Sequence, residues 1–261
     1  MTVKYEKTNT DILSLFTYLK SQYMIKSLLY RKQAKIDIID NNAMITWGPS
    51  IIIGGKFSNT IGEKLKLKVT NKNGPYYIYS PEGEWLKYIE NTFTESVIKK
   101  QINLYQFNEF MEINNQIKHG IIVQVTNEWF QNNLLDVKKI KDEIYSYSSI
   151  EDFLQNGFGL VLIIENRICG YCLSEYSIDN ECAISIWIDE KYRGSGYAKI
   201  MTNTFLHYTK NKNWNIYWAC DSNNIPSNKI AQGTGFLFHS KIDYYELKKY
   251  NMEGCSDVGF K

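Results

Sequence analysis

Residues 181–188 read Glu181, Cys182, Ala183, Ile184, Ser185, Ile186, Trp187, Ile188, and they run directly into Asp189, Glu190, Lys191, Tyr192, Arg193, Gly194, Ser195, Gly196, Tyr197, Ala198. The first eight form an apolar run with the length of a buried strand. After Gly196 the residues Ala198, Met201, Phe205 and Tyr208 recur at spacings of three and four, which is the stripe of a helix. The order is therefore strand, glycine loop, helix. In that context the loop backbone can approach a ligand closely, and the helix behind it aims free N–H groups at phosphate oxygens. No Gly-Lys-Ser or Gly-Lys-Thr follows, so this is not a Walker loop. The third glycine of a dinucleotide fingerprint is absent as well.

Upstream, the apolar runs Gly159 to Glu165 and Ile168 to Glu175 read as a hairpin turning at Asn166 and Arg167. Before it, Ile121 to Val125 reads as a strand, and helical stretches carrying Trp129, Phe130, Leu134 and Ile140 extend to about Asn156. Downstream, Asn215 to Cys220 reads as one more strand. In the first half, Ile12 to Tyr30 reads as one amphipathic helix. Lys35 to Ile39 and Met44 to Ile53 read as a hairpin turning at Asp40, Asn41 and Asn42. A helix over Ser58 to Val69, a strand over Tyr76 to Tyr79, and a helix capped by Ser80 with Pro81 at its first position follow. The polar passage Gln106 to His119 has little periodicity, and the domain boundary is placed there.

The glycine loop resembles the acyl-coenzyme A loop of the GNAT superfamily of N-acetyltransferases, whose pattern is Arg or Gln, two residues, Gly, one residue, Gly or Ala. Arg193, Gly196 and Ala198 meet it. The resemblance continues through Asn224, Ser227, Ala231 and the pair Gly235 and Phe236, and covers Ile121 to about Leu247. Together with Trp218 and Cys220, these residues look most like the subgroup containing the zwittermicin A resistance protein. The implied fold class is α/β with a mixed sheet: a GNAT-like acyltransferase domain over residues 118–261, and a smaller N-terminal α/β lobe over 1–117. The sheet is expected to splay between the strands Glu181 to Ile188 and Asn215 to Cys220, admitting pantetheine. By resemblance, main-chain groups of Ile186, Trp187 and Ile188 hold the pantetheine and thioester carbonyl. Arg193 and the segment Gly194, Ser195, Gly196, Tyr197, Ala198, Lys199 cradle the pyrophosphate, while Asn224, with Ser227, serves the thiol-bearing arm. Asn224 reads equally as a plain helix cap.

Transfer from a thioester to an amine needs a neutral nucleophile, yet an alkylamine with a pKa of about 10.4 is mostly protonated at neutral pH. In many relatives a glutamate on the fourth strand removes the proton and a tyrosine in the last helix protonates the leaving thiolate. Ala183 and Ala231 occupy those positions here. Glu181 lies two residues before Ala183 on the same strand face and is the expected base, acting through water. Glu175 is a second candidate. The expected reaction moves an acetyl group from acetyl-CoA to a primary amine of a small molecule or peptide. A non-catalytic acyl-CoA sensor is the alternative.

Composition bounds the partners. The 261 residues carry 30 basic and 28 acidic side chains, a net charge of +2, which argues against a dedicated nucleic-acid binder. No run approaches the roughly 20 apolar residues of a membrane span. Met1 to Lys20 lacks a signal-peptide core, so the cytosol is the expected compartment. Five cysteines without a secretion signal read as reduced thiols. Cys169 and Cys172 are expected on opposite strand faces, and no metal site is expected. His119, His207 and His239 read as structural or surface residues. The order hairpin, helix, strand, helix in residues 35–91 echoes that in 159–235, but Gly54, Gly55, Lys56 and Phe57 lack the arginine and the glycine spacing. The N-terminal lobe is therefore either a degenerate GNAT-like half that narrows the acceptor cleft or an unrelated α/β cap.

Overall fold

The computed structural model describes residues 8–70, 74–94, 96–113, 116–117, 119–131 and 136–248. In chain order its first elements are α1 (Asn9–Leu13), α2 (Tyr23–Tyr30), β1 (Lys35–Ile39), β2 (Asn42–Trp47), β3 (Ser50–Gly54), α3 (Asn59–Thr70), β4 (Tyr76–Tyr79), α4 (Glu84–Thr92) and β5 (Val97–Phe107). Next come β6 (Ile121–Gln124), α5 (Asn127–Gln131), α6 (Val137–Glu143), α7 (Ile150–Asn156), β7 (Gly159–Ile164), β8 (Arg167–Ile178) and β9 (Glu181–Ile188). The chain ends with α8 (Tyr197–Thr209), β10 (Asn215–Asp221), α9 (Ile225–Gln232) and β11 (Phe236–Leu247). Among the described residues no helix is long and apolar enough to cross a membrane.

The chain forms two compact units. The first takes the residues up to Gln22, Lys32–Gln101 and those from Ile242 onward; the second takes Tyr23–Arg31 and Ile102–Lys241. These are not the consecutive segments 1–117 and 118–261 expected from the sequence. Strand pairing explains the difference. In the first unit the hairpin β2–β3 is followed by α3 and by β4, parallel to β3 through Ser50↔Tyr77 to Ile52↔Tyr79, and β4 pairs antiparallel with the end of β11. In the second unit the hairpin β8–β9 is followed by α8 and by β10, parallel to β9, and β10 pairs antiparallel with the end of β5. The end of the strand that follows α4 thus belongs to the second unit and the end of the strand that follows α9 to the first, so no single cut separates the two.

Local departures from the expected elements have physical causes. The expected helix Ile12 to Tyr30 is broken between the short 3-10 turn Ser14–Phe16 and α2. The Gln22 side-chain amide donates to Leu13 O and Phe16 O at 3.1 Å each, closing the first piece. Met44 to Ile53 is two strands, because Gly48 takes a left-handed conformation (φ 53°) at the turn before Pro49. Ser80 is buried and does not cap α4, whose N-cap is Gly83. Cys169 sits beside a register shift in the β7–β8 ladder, and it joins Cys172 in one apolar cluster rather than facing away from it. Leu134 and Cys255 lie outside the described residues.

In the second unit β9 is buried on the face that meets α8. Cys182, Ile184 and Ile188 pack with Met201, Phe205 and Leu206 of α8, each buried side chain contributing about 2 kcal/mol. On the opposite face α2 packs over β8, and Tyr23 stacks on Tyr217 of β10 at 5.1 Å. An ion pair anchors α2: Arg31 Nε lies 2.7 Å from Asp152 Oδ2, with side-chain exposures of 2% and 13%. The guanidinium also lies over the Tyr147 ring at 4.8 Å, and the Tyr147 hydroxyl shares hydrogen bonds with Ser174 and Ser177 of β8. Burial alone would raise the Asp152 carboxyl. Hydrogen bonds from Arg31, Ser148 and Asn156 outweigh it and hold the group well below the usual carboxylate range.

Two outcomes follow. Asp152→Asn should lose about 3 kcal/mol in chemical denaturation at pH 7, since it strands a buried guanidinium. The native carboxyl is depressed, so its contribution is complete above the unfolded value near 4 and is lost progressively as pH falls from there through the lower native value. The wild-type advantage over Asp152→Asn should therefore begin to shrink below about pH 4 and vanish in strong acid. A fragment starting at residue 118 lacks α2 and β5, and it should show no cooperative urea transition. A cooperative transition would mean that neither element is needed to close this core.

Candidate active site

Strands β9 and β10 are paired only at Asn215↔Glu181, Ile216↔Cys182 and Tyr217↔Ala183. Beyond that point β10 continues along β5 to Asp221↔Ile102, whereas among the described residues β9 keeps only β8 as its ladder partner up to Ile188. A strand edge without a partner leaves main-chain N–H and C=O groups available to a ligand. The opening is a cleft of about 740 Å³ lined by Ile186, Trp187, Ile188, Tyr192, Arg193, Gly194, Gly196, Tyr197, Ala198, Lys199, Asn224, Pro226, Ser227 and Ile230.

The cleft brings together nearly all the residues singled out from the sequence for the cofactor, with the exception of Ser195, which is exposed in the loop and does not line it. Tyr192, Pro226 and Ile230 were not anticipated. Ile230 stands three residues after Ser227 on α9 and Pro226 four before Ile230, so the helical period read from Ser227 would have flagged them.

Each side of the cleft has a local cause. Gly194 (φ 78°) and Gly196 (φ 85°) take left-handed conformations, and a Cβ at either would meet nothing within 4 Å. The loop is therefore open, with glycine needed for its backbone path rather than for close packing. Gly196 is the N-cap of α8 and no side chain caps that end, so the first-turn N–H groups remain available for an anion. Arg193 Nε donates to Ile188 O at 3.1 Å, tying the loop to the end of β9. Below the loop, Tyr197 is buried and its hydroxyl bonds both the N–H and the C=O of His119. Opposite, Asn224 is the N-cap of α9, its Oδ1 accepting from Ser227 N at 3.1 Å. The buried Trp218 donates Nε1–H to Ser227 Oγ at 3.0 Å, fixing this helix start against β10.

The corresponding loop of the first unit differs. After β3, Gly55 also has a positive φ, 91°, but a Cβ there would lie 2.4 Å from Asn41 O. Its carbonyl accepts from Trp85 Nε1 at 3.3 Å, and a Cβ on Gly54 would strike the Phe16 ring. Side chains fill that loop from within.

Glu181 does not line the cleft. Its carboxylate lies 2.6 Å from Lys26 Nζ of α2 and accepts from the Tyr217 hydroxyl at 3.4 Å, and its side chain is only 14% exposed. No sequence signal could reveal Lys26, which is 155 residues away along the chain. Glu175 is placed differently. It sits directly across the strand pair from Ala183, and burial together with the nearby Glu143 charge raises its carboxyl to about 7. Among the described residues no group of three His, Cys, Asp or Glu side chains could hold a metal ion. His207 stacks on Phe110 with ring centres 4.7 Å apart.

Comparison with known proteins places this arrangement. A family model described as GNAT acetyltransferase matches residues 14–245. An uncharacterized N-acetyltransferase of Bacillus subtilis (strain 168), YdfB, is 28% identical over 124 residues, which are 42% of this chain and 48% of that protein. The chain thus matches about half the length of that curated relative. The crystal structure of a GCN5-related N-acetyltransferase-like protein from Streptococcus suis 89/1591 superposes with a TM-score of 0.70 at 17% identity, covering 92% of this chain and 98% of the other. A tandem GNAT protein from the clavulanic acid biosynthesis pathway superposes at 0.60 with 9% identity over 98% of each chain. At these identities the two solved structures speak for the fold. With the family model spanning residues 14–245, this chain belongs to the GNAT acetyltransferase family.

Proposed function

We propose that the protein moves an acyl group, acetyl in the simplest case, from its coenzyme A thioester to a primary amine of a small molecule or peptide. The observation that carries this reading is the parting of β9 from β10 beside an open glycine loop that leads into α8. In the proposal, acyl-CoA lies in the cleft. Main-chain groups of Ile186, Trp187 and Ile188 hold the pantetheine and polarise the thioester carbonyl. The pyrophosphate rests on the segment from Gly194 through Ser195, Gly196, Tyr197 and Ala198 to Lys199, at the positive end of α8, with Arg193 beside it. Asn224 and Ser227 border the thiol arm. The acceptor amine attacks from the face of β9 that carries Ala183, Ser185 and Trp187.

A non-catalytic acyl-CoA sensor is the rival reading, favoured by one observation: Ala183 and Ala231, both buried, stand where many relatives carry an acid–base glutamate and tyrosine. A coenzyme A thiol leaves readily enough that loss of the tyrosine need not stop turnover, because positioning and carbonyl polarisation supply much of the rate. Acetyl-CoA mixed with spermidine, tyramine and peptides with free N-termini, followed by thiol release and product mass, separates the two. Amine-dependent thiol release is expected; tight acetyl-CoA binding without release from any amine would favour the sensor.

The loop has its own test. Gly196→Glu should weaken coenzyme A binding by an order of magnitude or more in calorimetry, because it sets a carboxylate where the pyrophosphate is proposed to sit. Gly196→Asn, which tolerates the left-handed conformation and adds no charge, should cost much less. Equal affinity in all three proteins would remove the loop from the site.

A further inference from the structure

The positions that carry acid–base groups in many relatives are alanines here, and Glu181 is committed to Lys26. The proton of the incoming ammonium therefore needs another acceptor. On the face of the sheet that carries Ala183, a cluster of polar side chains lies nearer the cleft. Ser185 is two residues from Trp187, which lines the cleft, about 7 Å along a strand; Glu175, paired with Ala183, is level with a point four residues and about 13 Å away, and Glu181 is six residues and about 20 Å away. The Ser185 hydroxyl donates to Glu143 Oε1 at 3.0 Å and is also within hydrogen-bonding reach of the Glu175 carboxylate. Glu175 accepts from the Tyr145 hydroxyl at 3.3 Å.

We infer that Glu175 is the general base of this enzyme, with Ser185 and Glu143 as its positioning partners. The inference rests on the acyl-transfer reading above. Glu175 takes one N–H proton from the acceptor ammonium, directly or through one water, leaving a neutral amine. The amine lone pair forms the C–N bond at the thioester carbonyl carbon, the tetrahedral adduct collapses, the C–S bond breaks, and the electron pair leaves on sulfur. The second nitrogen proton passes to the thiolate, giving the amide and coenzyme A, and Glu175 returns its proton to water.

The surroundings suit a base working near neutral pH. Burial and then the Glu143 charge raise Glu175 to about 7, while the hydrogen bond from Tyr145 partly offsets them. The other groups facing it are Tyr23 of α2, Tyr171 and Tyr176 of β8 and Tyr145 after α6. Each is a phenol pushed up, mainly by burial, and neutral at pH 7. Glu181 also acts on this cluster through Tyr23, and it is held by Lys26. A raised native pKa means that the base is unprotonated, and active, only above that value, so turnover should rise with pH through about 7.

The test uses the full chain, acetyl-CoA and the amines above. Glu175→Gln should lower kcat/KM at pH 7 by roughly 10²-fold or more, lose the ascending limb near neutrality, and recover as pH approaches the amine's own pKa. Coenzyme A affinity should be unchanged, which shows that the variant is folded. Glu143→Gln removes a like charge and should move the limb to lower pH, by roughly half a unit or more, which a purely structural role would not do. Carbon-13 NMR of labelled glutamate should show a carboxyl titrating near 7 that is missing from Glu175→Gln. A turning-over wild type whose limb persists in Glu175→Gln overturns the assignment of the base alone. Binding of acetyl-CoA with no turnover of any amine overturns the acyl-transfer reading and this inference with it.

Discussion

A parallel strand pair that stops after three residue pairs leaves one edge of β9 unpaired from Ile184 to Ile188, and the rest of the second unit is arranged around that gap. Unpaired main-chain groups inside a core would be costly, so the gap is tolerable only where a ligand or water meets them. The strands are held apart from both sides. β10 is drawn to β5, with which it pairs along Tyr217–Asp221, while α8 clamps β9 through Ile184, Ile188, Met201 and Phe205. Trp218 then fixes the start of α9 across the gap from the glycine loop. The cleft-lining residues proposed to hold the cofactor come from three separate stretches of chain and meet because of these packing contacts.

The two units share an order of elements and the same short parallel pair, yet only one keeps an open loop. In the first unit Phe16, Asn41 and Trp85 occupy the space around Gly54 and Gly55, so the motif has become part of the core. In the second unit a Cβ on Gly194 or Gly196 would meet nothing within 4 Å among the described residues. A glycine at positive φ thus serves packing in one place and access in the other, and the difference lies in the groups brought near.

Exchange of the last strands makes each unit depend on the whole sequence. The end of β5 lies beside β10, the end of β11 lies beside β4, and α2 packs on β8 through Arg31, Tyr23 and the Tyr147 network. Loop closure costs grow only slowly with chain length, so such long-range completion carries little penalty once the core is large.

Much of this was legible in the amino-acid order. Strands β4 and β9, the helices α3 and α8 and the loop between Ile188 and Tyr197 follow from periodicity and glycine placement, and the Arg193, Gly196, Ala198 pattern pointed to the family. These signals are local: a few consecutive residues carry both the conformational preference and its consequence. What depends on meetings between distant residues was not legible. The break between α1 and α2, the exchange of β5 with β11 and the capture of Glu181 by Lys26 are decided by partners as much as 155 residues away. Nor could the sequence show that Glu175 and Glu143 share one hydroxyl, because a carboxyl's charge state follows from its burial and its neighbours, and only the folded chain supplies both.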